Sequence, residues 1–467
     1  MTKTDTRELI VGTLLEVTSG KEFCHIALRQ VLDKYQYMEK QQRAFLTRVT
    51  EGTLERMLEL DYILDQFSKV PVRKMKPFIR NLLRMSVYQM KYMDRVPDAA
   101  VCNEAVKLAR KKGFANLTGF VNGVLRSIAR GLEELKYPED LPGREAEYLS
   151  VRYSMPQWIT EKWLEEYGRS VTESMLASFL EPSGTTIRVN TQRISPGELQ
   201  KRLQAQGIQT EEEPGLPYAL HIEGYDSLGR IPAFREGLFF VQDVSSMLAV
   251  EAAKAEKDSF CLDVCAAPGG KAMQLSMLLE GSGSVEARDL TDYKVRSIEE
   301  NVERLQVANV RGRVYDARIL DTAMIEKADV VLADLPCSGL GVLGRKPDIK
   351  YRTSLESLAS LAELQRQILD TVWQYVKPGG TLIYSTCTVN PQENEENVSW
   401  FLQKYPFQLE ALPPVFAGFA DEEACRRGMC QLLPGDRRTD GFFIARLRRS
   451  LTDSGKTARG GADFQKG

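Results

Sequence analysis

Two cysteines stand where a nucleophile could work. Cys337 follows the apolar run "DVVLAD" within "ADLPCSG", and Cys387 follows the run "TLIYST" fifty residues later. Both runs are short and apolar, which predicts buried strands and places each thiol at a strand end. A thiolate is a good nucleophile for covalent catalysis. The ordinary alternatives are that both are small core residues, or that they form a disulfide.

The composition argues against the disulfide and against several other kinds of site. The 467-residue chain has eight cysteines with no CxxC pair, a pattern that predicts reduced thiols in a cytosolic protein. Only His25 and His221 are present, which speaks against histidine-based zinc sites and Ser-His-Asp chemistry. The apolar runs are too short to span a membrane and none is of signal-peptide type, so we expect a cytoplasmic location.

The net charge of −2 conceals an uneven distribution. The first 140 residues have 24 Lys and Arg against 18 Asp and Glu, whereas the remainder has 38 against 46. The most basic stretch, 67–93, has seven bases and no acid. In a helix starting at Pro77, the residues Arg80, Arg84 and Lys91 fall within about 40° of one another. We expect this face to contact nucleic-acid phosphates, and the alternative is a solvated helix face.

The chain divides into five segments. Residues 1–135 show helical periodicity and predict an all-helical domain, and three prolines in 136–158 predict a linker. Residues 159–257 mix short strands and helices. Residues 258–450 alternate β-rich runs with amphipathic segments, which is typical of a doubly wound, mainly parallel α/β sheet. The polar, glycine-rich residues 451–467 predict a disordered tail.

A glycine-rich loop follows the first strand of this sheet. "FCLDVC" runs into "AAPGGK", where glycines permit close approach of a ligand and a helix N-terminus favours an anionic group. Asp289 and Asp316 end the next two strands and suit a ribose diol and an adenine amine, or else are helix caps and turn residues. Together these features predict a nucleoside-containing cofactor. The candidate loop residues are Cys265, Ala266, Ala267, Pro268, Gly269, Gly270 and Lys271.

One motif points to a different class of enzyme. "GLGVLG" (339–344) matches the G-x-G-x-x-G dinucleotide fingerprint. It follows the fourth strand rather than the first, and Pro347 spoils the helix start that the fingerprint needs. An NAD-dependent oxidoreductase is therefore the weaker alternative.

Three longer motifs carry a family resemblance. "LDVCAAPGGKAMQL", "ADLPCSGLGVLGRKPDIK" and "YSTCTVNPQENEENV" resemble motifs of the RNA cytosine-5 methyltransferases of the Sun/NOL/NOP family, and "YSMPQW", "IRVNT", "VQDVSSML" and "TDGFFIARL" are similar to that family too. "CNEAVKLARKKG" and "FVNGVLRSI" resemble the NusB-like RNA-binding domain. The resemblance covers residues 5 to about 448. It implies a Rossmann-like, S-adenosylmethionine (SAM)-dependent methyltransferase domain preceded by an all-α NusB-like domain.

The resemblance also implies roles for single residues. Cys387 of the "TC" motif is implied to be the nucleophile that adds to cytosine C6, and Cys337 of the "PC" motif to assist release. Asp334 is implied to bond the cytosine N3/N4 edge and to belong to the cofactor site, with SAM as the cofactor. A positive charge at Lys271 or Lys346 could lower the pKa of the attacking thiol, and phosphate contact is the alternative for Lys346.

The resemblance implies a SAM-dependent enzyme that methylates C5 of a cytosine in 16S rRNA, at cytosine 967 in the rRNA numbering. We expect RNA in stripped or partly assembled small subunits as its partner, a monomeric state, and neither membrane nor metal. The same chemistry on tRNA or 23S rRNA is one alternative. A non-catalytic RNA-binding assembly factor is another, which the intact motifs argue against. Arg288 departs from the family pattern, and Arg437 and Arg438 are candidates for additional RNA contacts.

Overall fold

The computed structural model describes residues 5–181, 184–435 and 439–451. The chain forms two compact units, which we call the helical unit (1–183, 339–354 and 434–436) and the sheet unit (184–338, 355–433 and 437–467). The Arg437–Arg438 pair and residues 452–467, the greater part of the expected tail, lie outside the described residues.

The expected all-helical region is confirmed. Its helices are α1 (Thr6–Thr18), α2 (Cys24–Lys34), α3 (Lys40–Glu55), α4 (Met57–Phe67), α5 (Pro77–Tyr92), α6 (Asp98–Lys111), α7 (Thr118–Gly131), α8 (Glu145–Arg152) and α9 (Gln157–Ser178). The apolar pattern over 39–67 predicts one helix, but the backbone leaves helical geometry at Arg56 (φ −100°, ψ 13°) and separates α3 from α4. The buried apolar faces of α1 to α7 form one core.

The segment 136–158 is more structured than the expected linker. It contains α8, where Leu149 is buried and the Ser150 hydroxyl donates to the Met155 carbonyl at 2.6 Å. The Ser154 hydroxyl accepts from the backbone N–H of Leu58 at 3.0 Å. The three prolines interrupt the periodicity, but none lies between residues 143 and 155, so a short helix forms there and packs on its neighbours.

The expected phosphate-binding stripe on α5 is wrong for Arg84 and Lys91. Arg84 is buried and donates two 2.6 Å hydrogen bonds to the Asp61 carboxylate. Lys91 Nζ lies 3.8 Å from the buried Glu59 carboxylate, and burial lowers the pKa of the half-buried Arg80. The cause is that α5 is the central helix of this unit, so its bases are used in internal ion pairs. The exposed bases of the stretch precede the helix: Lys69, Arg73, Lys74 and Lys76.

The sheet unit begins with a small antiparallel sheet. Its strands are β1 (Thr185–Val189), β2 (Gln209–Glu212), β3 (Ala219–Glu223) and β4 (Phe239–Val241), in the order β2-β3-β1-β4. Helices α10 (Pro196–Gln204), α11 (Pro232–Arg235) and α12 (Val244–Glu251) accompany them. Ile187, Leu199 and Phe239 belong to the core of this sheet, which agrees with the expected mixture of strands and helices.

The larger sheet confirms the expected doubly wound α/β class. Its strands are β5 (Phe260–Asp263), β6 (Ser284–Asp289), β7 (Val310–Val314), β8 (Ala328–Asp334), β9 (Val376–Thr386), β10 (Phe407–Leu409), β11 (Met429–Leu432) and β12 (Phe442–Arg449). The order is β10-β12-β9-β8-β5-β6-β7, with β11 also pairing β12. Neighbours from β7 to β9 run parallel, and the β12 pairings are antiparallel. The helices are α13 (Gly270–Leu278), α14 (Asp292–Leu305), α15 (Leu355–Val372), α16 (Glu395–Lys404) and α17 (Glu422–Arg427).

The strand order reverses between β5 and β8, which makes the carboxyl ends of these strands the expected ligand edge. "GLGVLG" belongs to the segment 339–354, which folds with the helical unit, and a short 3-10 helix, Ile349–Tyr351, rather than a long helix follows it. In the three described ranges, no helix combines the length and apolar character that crossing a membrane would need.

Candidate active site

The two cysteines lie side by side. They follow β8 and β9, which pair in parallel with Asp334 opposite Ser385. The two strands therefore end at the same edge of the sheet. The Sγ atoms of Cys337 and Cys387 are 3.2 Å apart, and both residues are half-buried thiols without a disulfide. Because the strand register brings residues fifty positions apart together, both thiols are placed to act on the same ligand.

Asp334 and Lys271 form an ion pair beside the thiols. Asp334 ends β8 and accepts from Lys271 Nζ at 2.7 Å and from the Ser385 hydroxyl at 2.8 Å. Burial alone would lower the pKa of Lys271, but Asp334, Asp263 and a Cys387 thiolate outweigh it and raise that pKa. The Lys271 ammonium is therefore placed to stabilise negative charge on Cys387. Lys346, the other candidate, is exposed and folds with the helical unit.

The glycine-rich loop 265–271 is held by backbone hydrogen bonds. The Ala266 N–H donates to the Arg288 carbonyl at 2.8 Å, and Gly269 takes a φ of +101° that favours glycine. A Cβ on Gly270 would lie 2.8 Å from the Phe240 ring, so only glycine fits there. Burial raises the pKa of the Cys265 thiol well above its usual value, which disfavours its thiolate form.

Asp289 ends β6 as expected, whereas Asp316 lies two residues after the end of β7, and both already have partners. Asp289 is buried and accepts from the backbone N–H groups of Ala267 (3.0 Å) and Leu290 (2.8 Å), and Lys294 Nζ lies 2.9 Å away. The Arg318 guanidinium, 2.7 Å from Asp316, holds the pKa of Asp316 below its usual range. Their ribose and adenine contacts stay predictions.

A cavity of about 190 Å³ opens at the glycine-rich loop. Asp263, Lys271 and Asp334 bring charge to it, and Cys265–Pro268 and Gly270 also line it. The remaining lining comes from the small sheet and α12: Phe240, Val241, Gln242, Asp243 and Ser246. Asp289, Asp316, Gly269 and the two cysteines are not among the lining residues. Most of the lining from the small sheet and α12 belongs to the "VQDVSSML" motif, to which the sequence analysis assigned no role.

Two buried charged residues were missed from the sequence. Asp263 ends β5, is 1% exposed, and neither of its carboxylate oxygens has a hydrogen-bond partner among the described residues. Burial raises the pKa of Asp263 to about 8, with the Lys271 ammonium acting in the opposite direction. Arg188 of the "IRVNT" motif donates to Gln242 Oε1 at 2.8 Å and to the Gly270 carbonyl at 3.2 Å, so it buttresses the loop.

The unusual Arg288 has an internal role. Its guanidinium is buried, donates to the Asp321 carboxylate at 2.9 Å and to Glu286, and lies over the Tyr315 ring at 4.5 Å. It therefore cross-links β6 to the segment after β7 rather than facing a ligand. Within the described residues, no group of three or more His, Cys, Asp or Glu side chains could hold a metal ion.

Comparison with known proteins agrees with this geometry. The family model of the 16S rRNA methyltransferase RsmB/F matches residues 250–448. The model of the NusB family matches residues 4–130, and that of an RsmF/B-like ferredoxin-like domain matches residues 155–227. The chain is 37% identical over 458 residues to the probable ribosomal RNA small subunit methyltransferase B of Bacillus subtilis, covering 96% of this chain and 100% of the relative. The chain belongs to the RsmB/F family of rRNA methyltransferases. The expected SAM-dependent methyltransferase fold with a NusB-like domain is thereby confirmed.

Other RsmB/F relatives and solved structures extend the comparison. The small subunit methyltransferase B of Vibrio cholerae is 31% identical and covers 89% of this chain and 91% of its own length. The small subunit methyltransferase F of Cronobacter sakazakii is 35% identical over 60% of each chain. The crystal structure of PH0851 has a TM-score of 0.80 at 25% identity, and the match covers 96% of this chain and 99% of that chain. The crystal structure of NSun6 from Pyrococcus horikoshii with SFG has a TM-score of 0.59 at 26% identity. That match covers 64% of this chain and 99% of that chain.

Proposed function

We propose that this protein methylates C5 of a cytosine in 16S rRNA through a covalent cysteine–C6 adduct. The observation that carries the proposal is the 3.2 Å separation of the Cys337 and Cys387 thiols beside the Lys271–Asp334 ion pair. Cytosine C5 is a poor nucleophile, and addition of a thiolate at C6 makes it an enamine carbon that can attack a methyl group. Two adjacent thiols permit one to attack and the other to assist the later steps.

In this mechanism Cys387 attacks. Its sulfur forms a bond to C6 while the Lys271 ammonium stabilises the thiolate, and the C5=C6 electron pair becomes available at C5. SAM, when bound, supplies the electrophilic methyl group and leaves as S-adenosylhomocysteine. Cys337 then assists removal of the C5 proton, and the electron pair of that C–H bond restores the C5=C6 double bond as the C6–sulfur bond breaks.

The cavity at the glycine-rich loop supports SAM as the cofactor. Its wall offers the unpartnered Asp263 carboxyl group and the Lys271 ammonium, polar groups that suit the ammonium and the carboxylate at the methionine end of SAM. Gly270 lines this cavity and lets the loop pack closely against the Phe240 ring, where a Cβ would clash. Asp334, oriented by Lys271 and Ser385, keeps acceptor capacity for the cytosine N3/N4 edge.

The relatives' names support a small-subunit rRNA substrate. We propose cytosine 967 as the target, following the family resemblance. Stripped or partly assembled subunits should be the better substrate, because the base must be extruded from structured RNA to reach the thiols. The exposed bases before α5 supply positive charge for RNA phosphates. A monomeric, cytoplasmic enzyme is part of this proposal. The same chemistry on tRNA or 23S rRNA is the alternative that the second experiment below decides.

Alanine variants of the two cysteines test the chemistry. Cys387→Ala has no route to the enamine, so both methylation and the covalent RNA adduct should vanish. Cys337→Ala should still attack and transfer methyl, then stall, so that a denaturation-resistant protein–RNA complex accumulates on a gel. Adduct trapped in Cys387→Ala instead would exchange the roles. Modest loss of activity in both variants, with no adduct in either, would mean that the residues only fill the core.

Bisulfite sequencing of total RNA from cells with and without the gene tests the substrate. We expect a single small-subunit cytosine, position 967, to lose its protection in the deletion strain and to regain it on complementation with wild type but not with Cys387→Ala. Loss of protection in tRNA or 23S rRNA instead would reassign the substrate and keep the chemistry.

A further inference from the structure

A buried carboxylate lies behind the two cysteines and takes no part in the chemistry described above. Glu393 has no exposed surface, and its carboxylate accepts four hydrogen bonds. The donors are the Ser338 backbone N–H (2.9 Å), the Ser338 hydroxyl (2.5 Å), Gln365 Nε2 (2.9 Å) and Asn390 Nδ2 (2.9 Å). A carboxylate saturated by four donors is fixed in place, since any rotation would break several bonds at once.

These bonds hold both chain neighbours of Cys337. Ser338, directly after the cysteine, is bound to Glu393 through its backbone and its hydroxyl. Pro336, directly before it, is bound through its carbonyl to the same Gln365 amide at 2.9 Å. The backbone on each side of Cys337 is therefore tied to one buried point.

The next residue, Asn394, does the same for Cys387. Its side-chain oxygen accepts from the Thr386 hydroxyl at 2.5 Å, and its amide donates to the Thr388 carbonyl at 3.1 Å. Thr386 and Thr388 are the two neighbours of Cys387. The Thr388 and Ser338 hydroxyls lie 2.7 Å apart and join the two loops directly.

We propose that Glu393 and Asn394 form a clamp that sets the relative position of the two thiols, as positioning residues for the methyl transfer. The inference rests on the proposed function, because it assumes that both thiols act on one base. Catalytic groups need placement within about 0.5 Å, and displacing one of them by about 1 Å can lower the rate about 100-fold. Because the clamp residues are adjacent in the chain, one short segment sets both loops together.

A trivalent arsenical tests the clamp without RNA or SAM. Phenylarsine oxide bridges two thiols only when they are adjacent, so it reports the placement of Cys337 against Cys387 in the full chain. The arsenical binding that is lost in the Cys337→Ala variant is the binding to the Cys337–Cys387 pair. Glu393→Gln places an amide donor opposite the groups that donate to Glu393. We expect it to weaken binding of the arsenical to the Cys337–Cys387 pair at least tenfold. Glu396→Gln, at an exposed neighbour, should leave it unchanged.

Kinetics supply the second readout. Glu393→Gln should lower kcat about 100-fold with KM for RNA and Kd for SAM changed less than threefold, since binding surfaces are intact. Should Glu393→Gln fail to fold, Ser338→Ala replaces it: this variant removes the hydroxyl donor alone and should shift arsenical bridging and kcat in the same direction by about threefold.

The outcomes separate the clamp from the chemistry. Wild-type arsenical bridging in Glu393→Gln, or in Ser338→Ala if the first variant does not fold, overturns the clamp even when methylation requires Cys387. Loss of bridging in the variant supports the clamp even when Cys387→Ala still methylates RNA, a result that would instead overturn the proposed nucleophile. A uniform fall in folding, SAM binding and bridging together would reduce Glu393 to a purely structural residue.

Discussion

Two buried carboxylates at the carboxyl ends of the large sheet have opposite surroundings. Glu393, behind the cysteines, accepts four hydrogen bonds. Asp263, beneath the glycine-rich loop, has no hydrogen-bond partner for either oxygen among the described residues, and burial raises its pKa to about 8. A buried polar group without a partner is destabilising, and in native proteins it calls for an explanation.

The difference suits the two tasks of the site. The cysteine loops are closed on themselves by hydrogen bonds, which in the proposed clamp hold the two thiols in one geometry. The glycine-rich loop instead keeps an unsatisfied carboxyl group against its cavity, where a ligand can complete the bonding. Lys271 belongs to both regions, because it comes from the loop, pairs with Asp334 at 2.7 Å and interacts with Cys387.

Removing Lys271 should therefore have the largest effect, since it breaks both regions at once. Lys271→Met leaves Asp334 without its cation and a Cys387 thiolate without its counter-charge. Removing one group that stabilises developing charge in an active site typically lowers kcat about 100- to 1,000-fold, so we expect methyl transfer to fall by about 1,000-fold. Single-turnover methylation and adduct yield measure this. Lys257→Met, at an exposed ion pair, is the matched control, and adduct yield equal to wild type would contradict the assignment.

Asp289→Ala should affect the glycine-rich loop alone. The variant removes the acceptor for the Ala267 N–H and the proposed ribose contact, a charge-assisted bond of roughly 1.5–3 kcal/mol. SAM affinity measured by calorimetry should fall about 10- to 100-fold, while arsenical bridging of the cysteines stays at the wild-type level. Asp292→Asn, an exposed acid nearby, serves as the control. Unchanged SAM affinity would remove Asp289 from the cofactor site.

Asp263→Asn should change how stability depends on pH. The folded-state pKa of about 8 lies above the usual value, so stability from burying the neutral acid is present below pH about 4 and is lost as pH rises through 8. Asparagine cannot ionise, so the variant should gain more than about 1 kcal/mol of unfolding free energy over wild type between pH 5 and pH 8. Urea unfolding without SAM measures it, with Glu256→Gln as the control. Parallel profiles would contradict an unpaired Asp263.

Much of the site could be predicted from local patterns. Cys337, Cys387, Asp334 and the loop 265–271 follow short apolar strands, and the carboxyl ends of parallel strands meet at one edge. Arg84 could not be placed in the same way. A basic helix has the same periodicity whether its bases face water or internal acids, and Asp61, 23 residues earlier, decided the matter.

The sequence by itself determined the α/β class, the helical domain and the strand ends that carry the chemical groups, because local periodicity and turn residues encode secondary structure. Only the tertiary structure decided the 3.2 Å between the thiols, the saturation of Glu393 and the isolation of Asp263. The physical reason is that strand register and burial join residues distant in the chain. A carboxylate's behaviour depends on which donors that packing brings within about 3 Å.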